Sequence, residues 1–272
     1  MRLMFVCIMK LMKMSCIIMF LTLLACSCQL TRETKLIDTQ SVVVLLAHPD
    51  DETWVSGTLA KLADLGIKVF PVYATSGDAG SDHSGQGLSG SKLAKVREQE
   101  ALEAVAILGL QAPIFLRFSD GKLNQDIESL LIAVHSIIER EKPQAILTFV
   151  RGGITDNLDH KTMNILVETY FSKLGIYFGV SESQADELAN SASKFALDYR
   201  VARPIDDAEV SIKVDITAYK IRKIMAMESH ITQFPPVMNS AYEDYLESFP
   251  QEELVTGNNA CRLILLTTQP AN

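Results

Sequence analysis

Two short stretches of this sequence hold residues that could do chemistry. The first is Ala47-His48-Pro49-Asp50-Asp51-Glu52, one imidazole and three carboxylates in a row. The second is Gly152-Gly153-Ile154-Thr155-Asp156-Asn157-Leu158-Asp159-His160, a polar, glycine-rich turn that also ends on an imidazole. Each follows a run of apolar residues, and a helix start alone would explain much of the first, since Pro and acidic residues are favoured in a first turn. Capping does not require the histidine. If the two turns share one crevice, His48, Asp51 and His160 supply the two-imidazole, one-carboxylate set of catalytic zinc, which leaves a fourth position for water. The same donors hold Fe(II), so the expectation is zinc with iron as the alternative.

The elements that must position these turns are legible from periodicity. Residues 41–47 read SVVVLLA, an apolar run without alternation that predicts a parallel strand buried on both faces. A helix over 53–65 ends at Gly66, a strand covers 67–74, and residues 75–91, with five glycines, form a long loop. A helix over 92–108, a strand over 113–118, a helix over 127–139, a strand over 145–150 and a helix over 160–174 follow. Alternating strands and helices predict an α/β fold, a Rossmann-like three-layer sandwich with a mainly parallel sheet. In such sheets ligands bind beyond the carboxyl ends of the strands, where both polar turns fall. The polar stretch 181–193 reads as a surface insertion or lid. Strands are expected over 195–201, 210–216 and 261–267, with a helix over 218–230. No boundary divides residues 41–272 into two cores, so they are read as a single domain.

Ahead of it lies a segment of different character. Arg2, Lys10 and Lys13 precede an uncharged apolar run from Met14 to Ala25, the order of an export signal. That run is shorter than the ~20 residues that a membrane-crossing helix requires. Leu23-Leu24-Ala25-Cys26 resembles a bacterial lipobox, which implies removal of residues 1–25, a diacylglyceryl group on Cys26 and a tether over 26–40. The expected location is a bacterial membrane surface outside the cytoplasm, periplasmic or at the cell surface, reached through that lipid.

Composition excludes other classes. The 272 residues carry a formal charge of -8, which becomes -11 once residues 1–25 and their three basic side chains are gone. A body so acidic has no electrostatic footprint for a phosphate backbone, so no nucleic-acid partner is expected. Four of the five cysteines lie at or before residue 28, which leaves Cys261 alone in the body and rules out a disulfide framework there. No repeat of 20–50 residues is present. A nucleotide-binding module is disfavoured because no G-x-G-x-x-G follows the first strand and an acidic loop would repel a pyrophosphate.

Taken together, AHPDDE, TSGD at 75–78, VREQEALEAVAILG at 96–109, SDG at 119–121, Asp159-His160 and KIMAMESHITQ at 223–233 resemble the PIG-L-type, LmbE-like zinc N-deacetylases. The resemblance spans about Val42 to Gln233 and implies removal of acetyl from an N-acetylglucosaminyl-type sugar, glycoconjugate or related amide. It assigns His48, Asp51 and His160 to the metal and Asp50 to the general base. The chemistry is coherent, because an amide is a poor electrophile and a Lewis acid plus a nearby base address both halves of the barrier. Asp159 either orients Asp50 or an imidazole, or caps a helix. Arg97 resembles the family's arginine near the substrate, against the alternative of a surface charge. Glu52 reads as a first-turn carboxylate and His230 as a structural histidine at a helix end; Trp54 reads as packing, and His83 and His135 as residues without a site.

One departure stands out. The family usually has H-P-D-H where this chain has Asn157-Leu158-Asp159-His160. The replaced imidazole helps stabilise the oxyanion in the family, and Asn157 retains one neutral donor; loss of such a donor costs on the order of 10²–10³ in rate. The alternative function is therefore a glycan-binding lipoprotein of the same fold with impaired catalysis.

Overall fold

A computed structural model describes residues 40–256 of the chain. The expected signal segment, the Cys26 anchor, all but the last residue of the tether, and the strand over 261–267 with Cys261 lie outside the described residues.

Seven strands form one sheet in the order β3-β2-β1-β4-β5-β7-β6. They are β1 (Ser41–Leu46), β2 (Lys68–Thr75), β3 (Ile114–Phe118), β4 (Ala145–Phe149), β5 (Gly175–Gly179), β6 (Ile212–Asp215) and β7 (Gln251–Thr256). The first five are parallel, while β7 runs antiparallel to both β5 and β6. Every residue of β1 is buried, as a central strand covered on both faces requires. Seven α-helices accompany the sheet: α1 (Ser56–Asp64), α2 (Gly90–Leu108), α3 (Ile127–Glu141), α4 (Leu158–Tyr170), α5 (Glu182–Lys194), α6 (Lys220–Ser229) and α7 (Pro236–Ser248). Right-handed crossovers put α1 and α2 on one face of the sheet and α3 and α4 on the other. The packing agrees, with α1, α2 and α6 against one another and α3 against α4.

The strand order reverses direction between β1 and β4, which are neighbours. That reversal opens a crevice at the carboxyl ends of the two strands. The turns carrying His48 and His160 leave from those two ends, so the topology itself brings them together.

Several elements differ from the sequence expectation. Residues 181–193 are α5, a packed helix: Ser181 caps it by accepting from the Gln184 amide at 3.3 Å, and Leu188 and Ala192 are buried. Its low apolar content hid it because only a narrow stripe faces α7. Residues 195–201 form no strand; they run as irregular chain, with Ala196 in the left-handed region at φ 58°. The short β5, just beyond the helix expected over 160–174, has no counterpart in the sequence expectation. Strand β7 escaped notice because its sequence, QEELVT, looks solvent-facing. Both of its glutamates are nevertheless buried and paired. Glu252 accepts from the Gly57 and Thr58 amides and from Lys223 Nζ, and Glu253 from the Ser181 amide at 2.7 Å.

Candidate metal centre and cavity

His48 leaves β1 on a turn held by Asp51. One carboxylate oxygen of Asp51 accepts from the amides of Ala47 and His48, at 3.0 and 2.6 Å, and the other faces His160 Nε2 at 3.0 Å. His48 Nδ1 lies 3.2 Å from His160 Nε2 and 3.5 Å from Asp51 Oδ2. The two Asp51 contacts use different oxygens, and one donor atom from each of the three residues lies within 4.8 Å of the others. A tetrahedral ion with bonds of about 2.0–2.2 Å has donor-to-donor edges of about 3.3–3.6 Å. The spacing fits a divalent cation.

The outward-facing nitrogens support the same reading. His160 Nδ1 meets the Gly153 carbonyl at 2.9 Å and Thr155 Oγ1 at 3.1 Å, and Phe149 stacks on the ring at 4.1 Å between centroids and 7° between planes. His48 Nε2 meets Asp120 Oδ1 at 3.0 Å and Asp159 Oδ2 at 3.5 Å. With the outer nitrogens donating to oxygen, both inner lone pairs converge on one point, the tautomer that ligation requires. Gly153 is needed for this: its φ is +67°, and a Cβ there would lie 2.8 Å from the His160 Cβ.

A second acidic grouping, His48 with Asp120 and Asp159, shares the first imidazole. Its carboxylates are already engaged with backbone. Asp159 accepts from the Gly121 and Leu123 amides at 2.7 and 3.1 Å, and Asp120 from the Ala79 amide at 2.8 Å. Both read as positioning groups for His48 and for the loops beneath it. Of the two alternatives weighed for Asp159, contact with an imidazole is what the geometry contains; the cap of α4 is Asn157, which accepts from the Asp159 amide at 2.8 Å.

Asp50 lines the same cavity with φ at 109°, a conformation non-glycine residues rarely adopt and that costs on the order of 1–3 kcal/mol. Its carbonyl accepts from the Thr53 amide and hydroxyl at 2.9 and 2.6 Å, and its amide donates to Glu52 Oε2 at 3.2 Å. Glu52 is therefore no solvent-facing helix charge. It is fully buried and also takes the Tyr73 hydroxyl at 2.9 Å and His230 Nε2. His230 is structural, as expected. In the same segment Lys223 Nζ donates to the Thr53 carbonyl, and Thr232 donates its amide and hydroxyl to Glu100 at 2.8 and 2.6 Å. The C-terminal motif thus clamps the metal turn and α2 from behind.

Arg97 is buried, which removes the surface-charge alternative. Its guanidinium donates to the carbonyls of Gly77 and Ser81 at 2.6 and 2.8 Å, so it braces the glycine loop while lining the cavity. Trp54 is half-buried and reaches both core and cavity. His83 borders a separate pocket and His135 sits exposed beside Glu139 at 3.7 Å, away from the centre.

Charge follows from burial and proximity. Burial and the neighbouring Asp51 charge push the Asp50 carboxyl up to about 7. Burial acts the same way on Asp51, but the charge and hydrogen bond of His160, with help from His48, hold it well below the usual carboxylate range. Burial alone would depress His48; its hydrogen bonds to Asp120, Asp159 and Asp51 raise it well above its ordinary value. A base near neutrality, beside a set of donors that must be deprotonated to ligate, can take up and release protons at physiological pH.

Asp120, Glu52 and the Gly153 carbonyl were not singled out as site groups. Asp120 had a signal: SDG follows β3, so the rule that chemistry collects at strand ends reaches it too. The other two had none, because a backbone carbonyl carries no sequence signature and Glu52 is drawn inward by Tyr73 and His230 from distant segments.

Residues 43–171 match the GlcNAc-PI de-N-acetylase (PIG-L) family. The 1D-myo-inositol 2-acetamido-2-deoxy-alpha-D-glucopyranoside deacetylase of Actinosynnema mirum is 24% identical over 237 residues, 71% of this chain and 80% of that one. Among solved structures, N,N'-diacetylchitobiose deacetylase from Pyrococcus horikoshii aligns with TM-score 0.60 and 22% identity over 84% of this chain and 86% of that chain. The 4-carboxy-2-hydroxymuconate hydratase GalB of Pseudomonas putida aligns with TM-score 0.57 and 19% identity, over 79% of this chain and 95% of its own. One architecture therefore hosts unlike reactions, and the sequence relatives carry more functional weight than the shape.

Proposed function

The chain carries a PIG-L family domain and is a hydrolase of the deacetylase type; on that premise we propose that it removes acetyl from an N-acetylglucosaminyl-type sugar or glycoconjugate, with zinc held by His48, Asp51 and His160. The observation that carries this reading is a pair of inner imidazole nitrogens 3.2 Å apart, each faced by an oxygen of Asp51 at 3.5 and 3.0 Å and each imidazole fixed by an oxygen on its far side. The same donor set would also hold Fe(II). When bound there, the cation supplies Lewis acidity toward the amide carbonyl and lowers the pKa of water.

The chain's own groups supply the rest. Asp50, with its carboxyl near neutrality and its backbone locked by Thr53 and Glu52, takes the proton of the attacking water and returns it to the departing amine nitrogen. Asp120 and Asp159 keep the His48 ring oriented. Asn157 commits its carbonyl oxygen to capping α4, which aims its amide nitrogen as the remaining neutral donor for the oxyanion.

The test is release of acetate and free amine from a panel of N-acetylglucosaminides by the zinc-loaded and the chelator-stripped full chain. Amine release that needs the cation and collapses in Asp50→Asn is the expected outcome. No amine from any compound, with Asp50→Asn indistinguishable from the parent, would defeat the proposal. A second reading, a glycan-binding lipoprotein with impaired catalysis, rests on Asn157 standing where the resembled family usually has an imidazole. Tight sugar binding with turnover that Asn157→His leaves unchanged would favour that one.

Export and anchoring through Cys26 belong to the same proposal and rest on the residue order of the first 28 positions. Metabolic labelling with a radioactive fatty acid should mark the protein and should be lost in Cys26→Ser; an unlabelled protein retaining residues 1–25 would overturn this part.

A further inference from the structure

The cavity that contains the three convergent donors holds about 470 Å³, within the ~300–1,000 Å³ of sites that enclose a whole drug-sized ligand rather than a single acetyl group. Its two sides differ in kind. Every charged residue lining it belongs to the strand-end side, from His48 to His160, whereas the side built by α5, α6, α7 and the irregular chain after α5 offers no charge at all. Six large side chains, Trp54, Leu197, Tyr199, Phe234, Met238 and Tyr242, line the cavity and each keeps part of its surface uncovered there. Apolar surface left uncovered inside a concave site, beside a few convergent polar groups, is the composition of a pocket for an apolar ligand part.

Resting on the amino-sugar reading above, we propose that this wall binds an alkyl or aryl substituent carried by the substrate, either as the aglycone or as an acyl group longer than acetyl. Leu197, Met238 and the buried Leu188 and Met227 behind them favour a chain over a second sugar. Aliphatic side chains offer a sugar no hydrogen bonds and no stacking face, while they exclude water from a chain.

Trp54 is the only tryptophan in the chain and lines this cavity, so its fluorescence reports occupancy without any turnover. The full chain is titrated with methyl, butyl and hexyl N-acetylglucosaminides, with N-acetyl-, N-butanoyl- and N-hexanoylglucosamine, and with diacetylchitobiose. Each methylene buried against the wall should tighten binding about fourfold, so the hexyl or hexanoyl compound should bind at least about tenfold more tightly than its one- or two-carbon parent. A gain in the glycoside series identifies an aglycone, and a gain in the amide series identifies an acyl chain. Leu197→Asp, on irregular chain where folding is least at stake, and Met238→Asp should each abolish the gain, with circular dichroism checking the fold. Affinity independent of chain length in both series, or diacetylchitobiose binding more tightly than every alkyl compound, would overturn the proposal. Amine release is recorded in parallel: a chain-length gain without any amine removes the hydrolase reading and leaves this wall assigned, and amine release without a gain does the reverse.

Discussion

The two turns that meet in the cavity are held in different ways. The turn after β1 is buried and closed on itself: Asp51 takes two amides, Thr53 and Glu52 pin Asp50, and Lys223 and Glu252 brace it from behind. The turn after β4 is open, with residues 155–158 exposed and two non-glycine residues, Ile154 and Asp156, in the left-handed region at φ 59° and 63°. His160 is fixed by the Gly153 carbonyl of that turn together with its flanks, the face of Phe149 and the first turn of α4. Asn157 itself makes no contact with the three donors, so residue 157 can depart from the family pattern without disturbing that set. Variation is tolerated where the chemistry needs only an oriented donor.

Removing a ligand from either side should erase that difference. His48→Ala and His160→Ala should each leave the purified protein without stoichiometric zinc by elemental analysis, since three protein donors are the minimum for a catalytic site of this kind. Retention of a full equivalent of cation by either variant would break the assignment.

The groups behind the ligands should restore the contrast. His48 is oriented by a side chain, Asp120, whereas His160 is oriented by the backbone carbonyl of Gly153, which no substitution deletes. Asp120→Ala should cost about 10–100-fold in cation affinity, and Thr155→Val, which leaves that carbonyl in place, much less. Equal losses measured by competition with a chromogenic chelator would mean that the second turn is as dependent on side chains as the first.

These contrasts also explain what was legible. Unbroken apolar runs gave β1 and β4 their places, and the strand-end rule then located both histidines, because burial on two faces and a polar turn each leave a local signature. Strand β7 and α5 left none: in QEELVT, Glu252 is paired with the amides of Gly57 and Thr58 and with Lys223, Glu253 with the Ser181 amide and Lys213, and Leu188 and Ala192 make only a thin stripe. Arg97 could be read as surface charge for the same reason, since its carbonyl partners lie 16 and 20 residues upstream in a loop without periodicity. Asp120 was visible in SDG but its partner, the outer nitrogen of His48, was fixed only by the fold. The apolar wall was out of reach, assembled from α5, α6, α7 and a segment expected to be a strand.

Protonation sharpens the comparison further. Burial disfavours charge on the His48 imidazole, but its hydrogen bonds to Asp120, Asp159 and Asp51 raise it well above its ordinary value and so favour its protonated form in the cation-free protein. Ligation needs it neutral, and binding therefore releases a proton. Apparent affinity should rise with pH, by up to about tenfold per unit for each proton displaced, and level off above the His48 value. Calorimetric titrations in buffers of different ionisation enthalpy count that proton directly. A count of zero would mean that His48 is already neutral before the cation binds.

The smallest effect falls at Asn157, where two roles sit on two atoms of one amide. Its carbonyl oxygen caps α4, and the residue also lines the cavity. Asn157→Ala loses both and should cost about 1 kcal/mol of stability, a cap's usual worth, visible as a lowered Tm. Asn157→Ser keeps a capping oxygen but not an amide donor, so its Tm should match the parent while kcat falls and KM holds, the pattern of an interaction made only in the transition state. Should the serine variant match the parent in both, the amide does nothing but cap, and the oxyanion must find its donors elsewhere in the cavity.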